Sequence, residues 1–377
     1  MKRLIAIFCL IAATADAAFS YYSPVTVDHT QVPSTQTDFP VLVSQTDARL
    51  KTVANSGHVQ NSSGFDIRPY SDSALTSALT YELESYDGAA GTITMWVKIS
   101  SLSSSVDTVI YLGYGDSGLS TDGSSTSTWD ANFKGVWHMA DNAATTTIKE
   151  SSATGANGVN VANTNTKTGT GQIGSGLQYN GTSDGSSSAI DLSGTTIVTM
   201  SFWINWTTNA NDDDLAFEYT PNYNSAEGFV VDWNAASGFS QFGMHSQAGG
   251  SYWTDHFTRP SAGAWHLVHL VMDRANRVNK GYVDGTSQTL TTDTHTAISS
   301  MLAYANSSLF FMSRNKASLF GAGTLDETRL SVTERAQDWI TCEWNNQKAS
   351  STFIALGSET PVGGATTTSI SRFFFSP

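Results

Sequence analysis

The stretch that decides the fold lies in the last third of the chain. Residues 263–290 read GAWHLVHLVMDRANRVNKGYVDGTSQTL, residues 307–316 read SSLFFMSRNK, and residues 321–336 read GAGTLDETRLSVTERA. A Trp opens a strand, a turn follows, and a second strand ends at the sequence YVDG. A further strand at 324–330 is expected to run into a helix.

Short strands separated by polar turns are also predicted elsewhere. Their alternating pattern indicates antiparallel sandwiches. In the first third of the chain they lie at 38–43, 64–70, 80–86, 92–99 and 107–115. Later ones lie at 171–181, 198–206, 228–232 and 239–245.

Two parts of the sequence resemble known families. Residues 129–359, through WDANFKGVWHM at 129–139 and GQIGSGLQYNG at 171–181, resemble a concanavalin A-like, laminin G-like domain. Residues 18–117 resemble a bacterial domain of unknown function that often precedes it in surface proteins. The matching pieces are 38–43, 64–68, 81–84, 95–98 and 110–115. The resemblance implies an all-β fold, with two antiparallel β-sandwich (jelly-roll) domains in tandem, and a binding module.

The ends of the chain have their own signals. Residues 1–17 are typical of a signal peptide, with Lys2 and Arg3 before a short apolar run, and cleavage is predicted after Ala17. Residues 118–128 form a Ser/Gly/Thr linker and residues 360–377 a flexible tail with a Phe-rich end. We therefore expect a secreted or cell-surface protein with no membrane span in the mature chain.

Composition narrows the class of partner. Hydrophobic residues make up 40% of the chain, and its 10 Trp, 13 Tyr and 18 Phe can bury a large core, which excludes a disordered protein. The net charge is −14 without a basic cluster, which excludes nucleic acid as a partner.

Catalytic patterns are missing from the sequence. A glycanase of this fold needs paired carboxylates spaced along one strand, and no such string is present. Glu82 and Glu84 share a strand face, but that face is predicted to be solvated. His266 and His269 lie on opposite strand faces, so they are not expected to hold one metal. Cys342 is predicted to be a buried, inert thiol.

Acidic turns are the candidates for a metal. The resemblance implies one structural calcium ion, with Asp326 and Asp184 as possible ligands, and calcium needs six to eight oxygens. The alternative for Asp326 is a structural role, in which it accepts hydrogen bonds from backbone N–H groups of a neighbouring loop. The triple Asp at 212–214 is read as a solvated loop.

Aromatic and polar side chains are the candidates for ligand binding. Sugars stack their C–H faces on exposed aromatic rings and pair their hydroxyls with Asn, Asp and Gln. The ligand-binding candidates are Trp233, Asn234, Tyr252, Trp253 and Asp255. Tyr252 and Trp253 follow Gly249-Gly250 and are predicted to lie in a loop. A core role is the alternative for both Trp residues.

The expected function is non-catalytic binding of an extracellular glycan or another extracellular polymer by the second domain. A structural or adhesion protein that binds surface proteins is the alternative. A glycoside hydrolase with an unrecognised site is the third hypothesis. These expectations rest on analogy with a fold rather than on an identified site.

Overall fold

A computed structural model describes residues 18–141, 147–160, 168–207, 215–219, 228–234, 241–248, 251–295 and 303–363. The N-terminal strands are β1 (Tyr21–Val27), β2 (Gln36–Thr46), β3 (Arg68–Tyr70), β4 (Tyr81–Asp87), β5 (Thr92–Leu102) and β6 (Thr108–Tyr114). The strand predicted at 64–70 is confirmed only over its last three residues. The carboxylate of Asp66 accepts hydrogen bonds from the backbone N–H groups of Gln60, Asn61 and Gly115, which holds the preceding segment in turns.

The strands of the second sandwich follow in chain order. They are β7 (Phe133–Trp137), β8 (Thr147–Ile148), β9 (Gly158–Asn160), β10 (Thr168–Thr170), β11 (Ser175–Asn180), β12 (Ser186–Asp191), β13 (Ile197–Trp206), β14 (Leu215–Tyr219), β15 (Phe229–Asn234), β16 (Gln241–Ala248), β17 (Ser251–Thr258), β18 (His266–Asp273), β19 (Val278–Val283), β20 (Thr286–Ser287), β21 (Thr291–His295), β22 (Asn306–Phe311) and β23 (Ala322–Ser331). The described chain then ends with α1 (Gln337–Lys348), α2 (Ser350–Phe353), β24 (Ile354–Leu356) and β25 (Thr360–Pro361). No helix among the described residues has the length and apolar character needed to cross a membrane.

Two antiparallel sheets face each other in the second sandwich. One has the order β10-β11-β23-β13-β18-β19-β20, with β7 on β23, and the other has the order β21-β17-β16-β15-β14-β22-β12-β9-β8. On β13, Met200 and Phe202 point into the core between the sheets, whereas Ser201 and Trp203 lie on the outer face. The predicted all-β, antiparallel sandwich fold is confirmed.

The N-terminal unit contains two smaller sheets. Their orders are β24-β1-β6-β3, with β25 also on β1, and β2-β5-β4. Val25 pairs with Leu356 and Tyr22 pairs with Thr360, so the last described strands return to the first one. The predicted boundary at residue 359 therefore falls inside an N-terminal sheet. The first residues of the predicted tail belong to β25, and residues 364–377 lie outside the described chain.

Helix α1 is packed between the two units. Trp339 and Cys342 belong to the N-terminal core. The Cys342 thiol is therefore buried, as predicted. Ile340 packs against Val271 and Tyr282, which lie on strands β18 and β19 of the second sandwich. One helix thus shares its side chains between two hydrophobic cores.

Asn346 of α1 closes an open sheet edge. Strand β2 lies at the edge of its sheet, where backbone groups lack a strand partner. The Asn346 Oδ1 atom accepts a hydrogen bond from Leu42 N (2.7 Å), and its Nδ2 group donates one to Leu42 O (3.1 Å). A side-chain amide therefore takes the place of a neighbouring strand.

We expect Asn346→Ala to lower the free energy of unfolding by about 2 to 3 kcal/mol, because two buried backbone groups lose their partner. Asn345→Ala is the matched control on the same helix, since Asn345 donates a single hydrogen bond to Gln31 O. Its expected cost is about 1 kcal/mol or less. Urea unfolding measures both variants, and equal losses would contradict the role given to Asn346.

Candidate functional site

The predicted ligand-binding residues lie within strands of one sheet. Tyr252 and Trp253 belong to β17 and pair with Gln247 and Ser246 of β16, so the prediction of a loop there is wrong. Trp233 pairs with Phe242 of β16, which in turn pairs with Phe257. Phe257 of β17 is therefore level with Trp233 of β15, and it lies four residues beyond Trp253 on its own strand. The two Trp backbone positions are thus about 13 Å apart along the strand direction. The backbone positions of these candidates are spread over two strands, β15 and β17.

Asp255 is engaged inside the sandwich. Its side chain is buried and accepts hydrogen bonds from Asn279 Nδ2 and Thr292 Oγ1, both at 2.9 Å. Asn279 lies on β19, in the facing sheet. The carboxylate therefore links the two sheets of the sandwich. A binding role for Trp233, Asn234, Tyr252, Trp253 and Asp255 stays a prediction.

The two calcium candidates have separate partners. Asp326 is fully buried, and its Oδ2 atom accepts a hydrogen bond from Ile173 N at 2.8 Å. This bond to the backbone of a neighbouring loop is the structural role that the sequence offered as the alternative to calcium binding. Asp184 accepts one from Asn180 N at 3.1 Å within its own turn. Among the described residues, neither belongs to a group of three side chains that could share a metal. The calcium ion stays a prediction, and residues 212–214 lie outside the described chain.

An open cleft on the second sandwich is the candidate ligand site. Its volume is about 460 Å³, and its walls come from β7, β12 and the loops after β8 and β12. The lining residues are Lys134, Thr154, Ala156, Ala189, Ile190, Asp191, Ser193 and Thr195. Sequence reasoning missed this cleft because none of its residues is aromatic and they are scattered over 62 positions, from 134 to 195.

The cleft combines charges, hydroxyls and an apolar floor. Asp191 is exposed and accepts a hydrogen bond from Ser193 N at 2.9 Å. Hydrogen bonding from Ser193, aided by the positive charge of Lys134, lowers the pKa of Asp191, so the side chain is an anion at neutral pH. The Thr154 Oγ1 atom lies 3.1 Å from Lys134 O, which brings the two walls together.

A second group of functional side chains lies between the two units. We call it the acidic junction, and it consists of Glu82, Glu84, His138, Asp326, Glu327 and Arg329. Glu82 and Glu84 do share a face, but the prediction that this face is solvated is wrong, since their side chains are 5% and 4% exposed. The segment around β7 covers them: the Trp129 indole and the Ser151 hydroxyl both donate hydrogen bonds to Glu82.

His138 is the centre of the acidic junction. Its Nδ1 atom lies 2.8 Å from Glu327 Oε1 and 3.4 Å from Glu84 Oε2. Its Nε2 atom lies 3.3 Å from Glu82 Oε2. One imidazole is thus in contact with three carboxyl groups from two distant parts of the chain.

Burial and charge set the protonation of the junction. Burial raises the pKa of Glu84 to about 8, and Glu327 adds to that shift. Burial followed by the charge of Glu327 also raises the pKa of Asp326 well above its ordinary value. For His138, burial acts in the other direction, but Glu327, Glu84 and Glu82 outweigh it and raise the pKa. These shifts favour the neutral acid form of Glu84 and Asp326 and the charged form of His138.

Arg329 supplies the permanent positive charge. It is 2% exposed, and its guanidinium lies 4.3 Å from the Trp96 ring centre and 4.8 Å from that of Trp129. Its two terminal nitrogens donate hydrogen bonds to Glu327 and Glu343, each at 2.7 Å. A polysaccharide cannot reach carboxylates enclosed in this way, so the paired Glu82 and Glu84 are not an open catalytic couple.

Two family models match the sequence. Residues 179–341 match the concanavalin A-like lectin/glucanases superfamily, and residues 63–153 match a domain of unknown function, DUF2341. Both predicted resemblances are confirmed. The second match runs through the predicted linker at 118–128 and includes Trp129 and His138 of the junction region.

Solved structures with a similar fold share little sequence. The receptor binding domain of botulinum neurotoxin mosaic serotype C/D is 11% identical, with a TM-score of 0.44 over 57% of this chain and 51% of that one. Domain 4 of AbnA, a GH43 extracellular arabinanase from Geobacillus stearothermophilus solved with arabinotriose, is 16% identical, with a TM-score of 0.42 over 56% of this chain and 98% of that one. This chain therefore spans about half the length of the neurotoxin domain. No curated protein matches the sequence significantly.

We expect Glu343→Gln to lower the free energy of unfolding at pH 7 by about 3 to 5 kcal/mol, because it leaves buried His269 without its carboxylate and Arg329 with only that of Glu327. Although burial opposes it, the charges of His269 and Arg329 lower the pKa of Glu343 to about 2. An unfolded Glu titrates near about 4.3, so this stabilisation is complete above that pH and is lost as pH falls toward 2. The difference between wild type and variant should therefore shrink from pH 5 to pH 2.

Glu334→Gln is the control for this experiment. Glu334 pairs with Lys280 at the surface, where the two side chains are 39% and 40% exposed. Its loss should cost less than about 1 kcal/mol. Denaturant unfolding over the pH series measures both variants, and a pH-independent cost for Glu343→Gln would overturn the assignment.

Proposed function

We propose that this chain is an exported, non-catalytic binding protein whose concanavalin A-like sandwich holds an extracellular glycan in the open cleft. The observation that carries the proposal is the chemistry of the cleft. Lys134 offers a donor and Asp191 an acceptor, and Thr154, Ser193 and Thr195 are close by with hydroxyls that do both. The match to a family of lectins and glucanases supports the same class of ligand.

The size and floor of the cleft suit a short saccharide. Its volume of about 460 Å³ lies within the usual range for small-molecule sites. Ala156 and Ala189 supply apolar surface for the C–H faces of a sugar ring. Loops at the rim of a rigid sandwich are a common position for binding sites.

Export is supported by the first described residue. Ala18 N lies 2.7 Å from Asp116 Oδ2. Cleavage after Ala17 turns this amide into an ammonium group that faces a carboxylate, and a charge-assisted hydrogen bond is about twice as strong as a neutral one. The mature N-terminus would then be fixed beside β6.

Asp191→Asn and Lys134→Ala are each expected to weaken glycan binding by about tenfold or more, because each removes a hydrogen bond that involves a charged group. A glycan array on the chain from Ala18 identifies the ligand, and calorimetry measures the variants. Asp87→Asn is the control, since Asp87 is an exposed residue at the end of β4 in the N-terminal unit. A blank array, or equal losses for Asp87→Asn and Asp191→Asn, would reject the cleft. Binding to a surface protein alone would favour the adhesion alternative.

The exported protein should begin at Ala18, as measured by intact mass. Its α-amino pKa should lie above the ordinary value of about 7.7 to 8.0, because Asp116 stabilises the ammonium form. The resulting stability is present at neutral pH and is lost as pH rises through the raised pKa. Asp116→Asn should remove this alkaline loss, whereas Asp122→Asn, which changes a surface turn, should keep it. A mature chain that begins elsewhere would refute the cleavage site.

A further inference from the structure

We propose that Glu84, His138 and Glu327 form a binding site for one divalent first-row cation, with zinc as the best match, at the junction between the two sandwiches. The three residues are 54 and 189 positions apart, and each comes from a different structural segment: β4, the end of β7 and β23. Their potential ligand atoms lie within 4.8 Å of one another. The site is independent of the proposed glycan cleft.

The distances fit a shared metal. Ligand atoms about 2.1 Å from a tetrahedral zinc ion lie about 3.4 Å from each other. His138 Nδ1 is 3.4 Å from Glu84 Oε2 and 2.8 Å from Glu327 Oε1. A cation can therefore replace the shared proton between these atoms with movements of less than about 1 Å.

The surroundings of His138 are those of a metal ligand. A ligating His usually donates its second ring N–H to a carboxylate, which fixes the ring. Glu82 Oε2 lies 3.3 Å from His138 Nε2, but the present geometry does not make a hydrogen bond, and Nε2 has no other partner among the described residues. Glu82 is itself held by Trp129 and Ser151. This carboxylate is positioned to accept the N–H once Nδ1 binds a metal.

A second buried atom also lacks a partner. Asp326 Oδ1 has no hydrogen bond within the described chain, although Asp326 is fully buried next to Glu327. Four carboxyl groups, those of Glu82, Glu84, Asp326 and Glu327, surround one imidazole and one guanidinium. A divalent cation would take over the positive charge that bound protons now supply between these carboxyl groups, and the imidazole ligand favours zinc, iron or nickel over calcium.

The site is close to solvent on one side. Lys149 has a side chain that is 65% exposed, and its Nζ atom lies 3.6 Å from Glu82 Oε1.

The other potential metal group in the described chain consists of Asp28, His29 and Asp107, which is a surface cluster. There the His29 and Asp107 side chains are 37% and 50% exposed. A substitution in that surface cluster therefore serves as the control for substitutions in the buried site.

The experiment loads the full chain with zinc, dialyses it and counts bound metal by elemental analysis. We expect one zinc per chain, a thermal unfolding midpoint that rises by several degrees, and its reversal by a chelator. Cobalt in place of zinc should give a visible absorption band. Glu84→Gln and His138→Asn should abolish retention, and Glu82→Gln should weaken binding by about 10- to 100-fold. Asp107→Asn should retain the metal.

Glu84→Gln should fold, because Gln has the shape of the protonated acid and can still accept the hydrogen bond from Trp96 Nε1. If it does not fold, wild type and Glu82→Gln decide the question alone. Wild-type protein that retains no zinc or cobalt, with an unchanged midpoint, would overturn the proposal. So would an equal loss of metal in Asp107→Asn and Glu84→Gln.

Discussion

The arrangement of the two units depends on the contacts of one buried group, the guanidinium of Arg329. It lies against the rings of Trp96 in the N-terminal unit and Trp129 in the connecting segment, and its nitrogens donate hydrogen bonds to Glu327 of β23 and Glu343 of α1. A guanidinium stays charged at any physiological pH, so its burial requires hydrogen-bond acceptors and compensating negative charge. The other buried charges of the junction are arranged around it.

This constraint explains why the outer face of one sheet is not a free surface. Ser201 and His269 lie on that face and are buried, and both contact Glu343 of the helix above them. Helix α1 then continues to β24, which completes the sheet of β1. The N-terminal unit is therefore built from both ends of the described chain, with the large sandwich inserted between them.

The sequence alone predicted the strands well and the junction badly, for one physical reason. Alternation with a period of two shows which side chains share a strand face, as it did for Glu82 and Glu84. It carries no information on what packs against that face. The residues that pack there are His138, which lies in the stretch 129–139 that resembles the start of the second domain, and Glu327. Contacts between residues 54 and 189 positions apart leave no spacing signal.

The strand β7 connects the junction to the cleft. Lys134 lines the cleft and His138, just beyond the same strand, contacts the junction carboxylates. Between them, Val136 N donates a hydrogen bond to Glu150 Oε1 at 2.9 Å, and the other oxygen of Glu150 accepts one from Thr154. Because Thr154 forms part of the cleft wall, a buried carboxylate fixes a surface loop to the strand beneath it. A wall held in this way would lose little conformational entropy if the proposed glycan bound, and this supports selective binding by a cleft without aromatic side chains.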